Sequence, residues 1–281
     1  MLLVATHRDS FGELQLQPRK PLRTRRIARG AGLGHAFAEV KATLSNRAFL
    51  WLVSAALFGL INQGMTFALT NYQLAFLWQL QQMEMLYYAL TLFSTVIIAF
   101  IIVPPVSGRL GKKNAAILFA LISLTFTAAL YGSWLLGLVP GAPSNPSILF
   151  MFALVTIANS AAVSMMMLMS SMMADVVEAS QQETGRRSEG LFFAGYFFMQ
   201  KCAVGIGTFA AGMILSFAQF PQNAAPGEVD VAVLDGLALY YMGTVLVIGI
   251  IGVLILRHFP ISRESHNERL RALNTSAESA S

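Results

Sequence analysis

In the run GYFFMQKCAVGIGTFAAG, residues 195–212, every residue is apolar or small except Gln200 and Lys201. Lys201 stands about ten residues into an apolar stretch, ~15 Å along a helix and near the midplane of a bilayer. Its four-carbon stem is too short to reach either interface from there without local thinning. A lysine at the centre of a membrane helix costs about 2.5–3.5 kcal/mol on insertion scales. Two readings follow. The lysine pairs structurally with a carbonyl or an acid, or it is a charge in an ion or substrate pathway, the default for ionisable groups at that depth. A buried lysine can be stabilised neutral or charged, which suits a switching role. No Asp or Glu lies mid-span in any apolar segment. Glu84, Asp175 and Glu178 fall at segment ends, too shallow to meet it. A membrane charge without a counter-charge in its own chain points to a partner supplied from elsewhere.

Other polar groups at membrane depth are Asn62 and Gln63, beside Gly64. They are candidates to bond a substrate or simply a neighbouring helix, and the sequence favours neither; Asn159 and Ser160 stand alike. With Tyr196 and Gln200, which flank Lys201, Asn62 and Gln63 make up the expected substrate cavity. Ala203, Gly207 and Ala211 form a small-xxx-small stripe of the kind that lets helices approach closely, with Gly205 and Gly212 adding room. The run SMMMLMSSMMA, 164–174, offers thioethers to soft copper. It lacks His or Cys partners, so adaptable packing is the preferred reading. The loop DVVEASQQETGRRSEG, 175–190, mixes acids with arginines. Asp175, Glu178, Arg187 and Glu189 are the expected cytoplasmic gate, against the alternative of a solvated loop.

These groups must be carried by membrane helices. The 281 residues are 56% hydrophobic and 12% charged, against roughly 25% charged in soluble domains. About 20 apolar residues span a bilayer core. Six segments qualify: 48–72; 83–103, ended by Pro104-Pro105; 115–139, closed by Pro140-Gly141; 147–174; 191–217; and 236–256. Lipid forces the backbone to satisfy its own hydrogen bonds, so these are helices. The alternation of a barrel strand is absent.

The 19 Lys and Arg fall in 1–47, 109–113, 186–187 and 257–271, with Lys201 alone outside. Six spans put all four clusters on one side, and the positive-inside rule makes that side cytoplasmic, with both termini inside. The expected organisation is a basic cytoplasmic segment 1–46, a six-helix bundle 47–258 and a cytoplasmic tail 259–281. A short surface helix is expected at 35–47. MLLVA is too short for a signal-peptide core. GAGLG, 30–34, has no preceding strand and is no nucleotide loop. The net charge of +5 comes with no recognition module, which argues against nucleic acid. The single cysteine, Cys202, excludes an internal disulfide. No Ser-His-acid or metal-spaced cluster lies at membrane depth, so neither an enzyme nor a cofactor is expected.

The stretch MADVVEASQQETGRRSEGLFFAGYFFMQK resembles a signature of the glycoside–pentoside–hexuronide:cation symporters, the melibiose-carrier group of the major facilitator superfamily. The matching residues are Ala174, Asp175, Glu178, Thr184, Gly185, Arg187, Glu189, Gly190, Leu191, Phe192, Phe193 and Lys201. NRAFLWL, GRLGKK and FPISRESHNERLRAL are similar to further family segments, and the likeness covers about 40–273. It implies that the six spans correspond to the carboxyl-terminal half of a twelve-helix carrier. Substrate then sits between two halves, and Lys201 faces cation-binding acids of an amino half. Small polar residues are expected about one turn before the lysine in sugar-carrying members, where Tyr196 and Phe197 stand. Met166 stands where an aromatic would stack on a sugar. The solute is therefore left open.

The expected function is half of a secondary transporter: symport of a sugar or related organic solute with Na+ or H+ in the bacterial inner (plasma) membrane. Its partners would be membrane lipid, a small-molecule solute, and a six-helix amino-terminal half or a second copy. The alternative is a truncated non-transporting remnant or an assembly subunit.

Overall fold

The computed structural model of the protein describes residues 46–139, 145–184 and 189–259. The expected basic segment up to residue 45, Arg187 and the tail from residue 260 lie outside them. The described residues form six α-helices: α1 (Arg47–Tyr72), α2 (Gln82–Leu110), α3 (Lys112–Leu135), α4 (Asn145–Thr184), α5 (Glu189–Phe217) and α6 (Val231–Arg257). All six are long and apolar enough to cross a membrane. The protein is therefore all-α, as its composition requires.

Local chemistry sets the helix ends. Asn46 caps α1, its Oδ1 accepting from the Phe49 N–H at 3.0 Å. Asp230 does the same for α6, accepting from the Ala232 N–H at 3.1 Å. Glu84 accepts from the Gln81 N–H at 2.7 Å at the start of α2. Each bond satisfies a donor that the first turn cannot reach. At the end of α3, Gly137 takes φ +66°, and the Leu138 N–H reaches back to the Ser133 carbonyl. Glycine adopts that left-handed turn at no steric cost.

Five boundaries differ from the sequence expectation. α2 does not end at Pro104-Pro105 but runs on to Leu110. Both proline rings are exposed on the bundle surface, so they meet no neighbouring helix. Proline's fixed φ is itself helical, and membrane helices tolerate the lost bonds. α3 stops at Leu135, before Pro140, because Gly137 turns the chain first. α4 continues to Thr184, so 175–184 is not loop: the helix carries its charged residues out past the apolar span. After α1 the chain makes a π-turn over Gln73–Leu77 instead of a plain loop, and α6 begins at Val231, earlier than 236.

The helices pack as α3 on α4 and α6, α2 against α4, and α1 on α5 and α6. One end is basic, with Arg47, Arg109, Lys112, Lys113 and Arg257. There Phe49 meets Phe192 edge-on and Trp51 stacks on His258. At the opposite end, which carries Glu84, Glu228, Asp230 and Asp235 and no Lys or Arg among the described residues, Trp78 meets Trp134, and Tyr72 and Phe76 meet Phe220. Two apolar cores result. One is centred on Leu52, Met172, Met173 and Phe192, the other on Met65, Leu77, Trp78 and Leu237.

Between them, α1 and α5 cross backbone to backbone. A Cβ on Gly64 would lie 2.7 Å from the Val204 carbonyl oxygen. One on Gly207 would strike the Ile61 carbonyl oxygen and lie 2.7 Å from the Met65 nitrogen. Ala203, Gly207 and Ala211 are all buried in this crossing. The small-residue stripe is thus a packing device. Gly205 and Gly212 point elsewhere, where a Cβ would meet nothing within 4 Å.

We expect Gly207→Ala to lower stability by about 1–3 kcal/mol, the usual cost of overpacking. Gly205→Ala should stay within about 0.5 kcal/mol of the native protein. Thermal unfolding of both variants in the same detergent decides it; equal midpoints would remove the crossing from the account.

Candidate functional site

The crossing fixes the rotation of α5. Lys201 lies about 120° around the helix from Gly207 and is exposed on the bundle surface. Lys201, Gly205, Thr208 and Gly212 follow the i, i+4, i+7, i+11 rhythm of one helical stripe, and all four are exposed. A second exposed stripe beside it holds Phe198, Phe209, Met213 and Phe217. The same helix therefore presents a bulky apolar face and, next to it, a small and cationic one. Lys201 lies about 18 Å from the Glu189 end and ~24 Å from the Phe217 end. It forms no ion pair or hydrogen bond with any described residue.

Tyr196 and Gln200 are half-buried on the α1 side of α5 rather than on the lysine stripe; Tyr196 neighbours Ser170 of α4. Asn62 donates through Nδ2 to the Val245 carbonyl of α6 at 3.1 Å. Its Oδ1 is buried and unpartnered among the described residues. Gln63 is exposed. Asn62 thus ties helices together while Gln63 faces outward, a split that adjacent positions on a helix impose. The structure does not draw these four residues around Lys201.

At the basic end, Asp175 is engaged by α3. The Lys112 ammonium donates to both carboxylate oxygens, at 2.7 and 2.6 Å. Lys113 donates to the Phe259 carbonyl at 2.8 Å. Gly111 makes this possible. It alone separates α2 from α3, at φ 78°, ψ 156°, a region essentially reserved for glycine. Two lysines then open a helix whose N-terminal dipole opposes cations, and Asp175 offsets one of them. Glu178 and Glu189 are exposed, and each is engaged by a neighbouring group. Of the expected gate, Arg187 lies outside the described residues.

Sequence reasoning missed a polar cluster near the end opposite the basic one. Gln73, only 4% exposed, accepts from the Tyr131 hydroxyl at 2.8 Å. The Tyr241 hydroxyl lies 2.9 Å from Thr66 Oγ1, and the Trp134 indole donates to Asp235 at 3.0 Å. Gln73 fell in a stretch that reads as loop, and nothing in its composition marks it as buried. The methionines of 165–173 are wholly or half-buried, with Met172 and Met173 deep in the core. No group of three or more His, Cys, Asp or Glu that could hold a metal occurs among the described residues.

The profile of the family described as "MFS/sugar transport protein" matches residues 15–263. The chain belongs to this family. Its six helices long and apolar enough to cross a membrane, in a family of sugar-transport proteins, mark the chain as an integral membrane protein. A protein of Synechocystis sp. (strain ATCC 27184 / PCC 6803 / Kazusa) described as an uncharacterized symporter is 26% identical over 236 residues. The match covers 82% of this chain and 41% of that relative, so the chain spans about two fifths of the curated relative it matches.

The Lys112–Asp175 pair leaves the two side chains 42% and 31% exposed, so solvent screens it. A double-mutant cycle with Lys112→Ala and Asp175→Asn is expected to give a coupling of ~0.5–1 kcal/mol that shrinks with added salt. A salt-independent coupling above that range would show the pair to be desolvated.

Proposed function

We propose that this six-helix bundle is one half of a solute:cation symporter, carrying a sugar or related organic solute with Na+ or H+. The observation that supports it best is the exposed stripe Lys201–Gly205–Thr208–Gly212. A lipid-facing surface gains nothing from a lysine at that depth, and small residues leave gaps against acyl chains. The stripe suits contact with protein and a water-filled path. The beside-lying Phe198–Phe209–Met213–Phe217 face suits lipid. The partner is a second six-helix bundle, either an amino-terminal half, as the resemblance to the melibiose-carrier group implies, or a second copy of this one. Carboxylates on that bundle would meet the Lys201 ammonium across the interface.

In this reading the substrate lies between the bundles near the membrane midplane. Lys201 attracts the carboxylates when no cation is bound and yields them when Na+ or H+ enters. The Lys112–Asp175 pair holds α3 and α4 together at the basic end, and Glu178, Arg187 and Glu189 are assigned with Asp175 as the closing elements. That end is cytoplasmic by the positive-inside rule, and the membrane is the bacterial inner membrane.

Uptake into proteoliposomes, with a companion six-helix bundle and an imposed Na+ or H+ gradient, tests this. Lys201→Ala should cut cation-coupled uptake by more than about tenfold, a factor of ~1.4 kcal/mol, while Lys201→Arg retains part of it. Undiminished coupling in the alanine variant would sink the assignment. A chain that binds the companion but never moves solute would be a non-transporting assembly subunit instead.

A further inference from the structure

At the end opposite the basic one, the Lys201 stripe runs into a cavity of about 590 Å³. Gly212, the last residue of the stripe, is part of its wall. The remaining wall comes from the end of α1, the π-turn after it, the end of α5 and the turn that follows α5. Three rings meet there. Phe220 stands edge-on to Tyr72 at 5.5 Å and to Phe76 at 4.9 Å between centroids. Ser216, Gln219, Gln222 and Asn223 supply the polar wall, and no Asp, Glu, Lys or Arg takes part.

The turn that builds this wall is strained. Gln219 holds φ 53° and Asn223 φ 63°. Asparagine tolerates that region, but glutamine has no such latitude, and glycine is the usual choice after a helix. The Phe220 N–H reaches back to the Leu215 carbonyl at 2.9 Å, which folds the Phe220 ring onto Tyr72 and Phe76. Strain kept at a loop that shapes a cavity is a recurrent mark of a ligand site.

We propose that this cavity captures an uncharged polyhydroxylated solute at the mouth of the path to Lys201. The size falls within the ~300–1,000 Å³ of small-molecule sites. Amides and a hydroxyl both donate and accept, matching the hydroxyl groups of such a solute. Ring faces offer an apolar surface to its C–H face. A charged solute would find no counter-charge among the lining residues. Gly212 lies about 16 Å along α5 from Lys201, so capture and coupling are separate places on one stripe. The passage onward from this site rests on the symporter reading; the binding itself does not.

Saturation-transfer NMR on the full chain in nanodiscs provides the test, with glucose, xylose and maltose as neutral probes and glucuronate as the anionic one. The neutral probes should receive saturation and glucuronate should not. Gly212→Trp should abolish the transfer with little change in the thermal midpoint, because a Cβ there meets nothing within 4 Å. Gln222→Ala should weaken binding by about fivefold, the worth of one hydrogen bond. Lys201→Ala, which removes coupled uptake, should leave the transfer in place. No transfer from any neutral probe, equal transfer from glucuronate, or transfer that persists in Gly212→Trp overturns the capture site. Coupled uptake that still needs Lys201 in those cases leaves the symporter reading standing. Transfer sensitive to Gly212, with uptake indifferent to Lys201, supports the capture site and removes the symporter reading instead.

Discussion

The contact of α1 with α5 through Gly64 and Gly207 sets the geometry of the rest. Lipid offers no hydrophobic gain for joining two apolar helices, so their association depends on close packing and polar contacts. Here the backbones touch, leaving no room for a Cβ on either glycine. Such a contact cannot slide or rotate without a clash. It therefore holds α5 in one rotation, with Ala203, Gly207 and Ala211 inward and Lys201, Gly205, Thr208 and Gly212 outward.

Polar groups complete the work that apolar packing cannot do. Asn62 joins α1 to α6, Lys112 joins α3 to α4, and Lys113 ties α3 to the end of α6. At the other end Gln73 joins the π-turn to α3, and Trp134 joins α3 to α6. The Gln73–Tyr131 link pairs groups whose burial alone would be costly, whereas the Lys112 link stays within reach of solvent. Lys201 stands outside this scheme. It is mid-span, charged by type and without a described partner, and its helix gives it small neighbours instead of acids. That contrast is why the stripe carries the functional reading, whereas the expected cavity residues Tyr196 and Gln200 are half-buried off that stripe.

Much of the bundle was legible from residue type alone. The six spans, the charge-bearing end and the small-residue stripe all follow from rules that act within one helix. Boundaries were less legible. Pro104 and Pro105 read as a stop, yet their rings face outward and the helix passes through them. Pro140 read as the end of a span, yet Gly137 turned the chain first. The acids and arginines after residue 174 read as loop, yet α4 continues through Asp175 and Glu178, because helix formation does not require apolar residues once the chain has left the apolar layer.

The sequence by itself determined that this is an all-α membrane protein with one lysine at depth, because burial of backbone in lipid permits helices and penalises charge, and both effects are local. It did not determine which face of α5 the lysine occupies, that Asp175 belongs to Lys112, or that Gln73 is buried against Tyr131. Those depend on how helices far apart in the chain are rotated against one another. Only the glycine crossing of α1 on α5 and the one-residue turn at Gly111 decide that rotation.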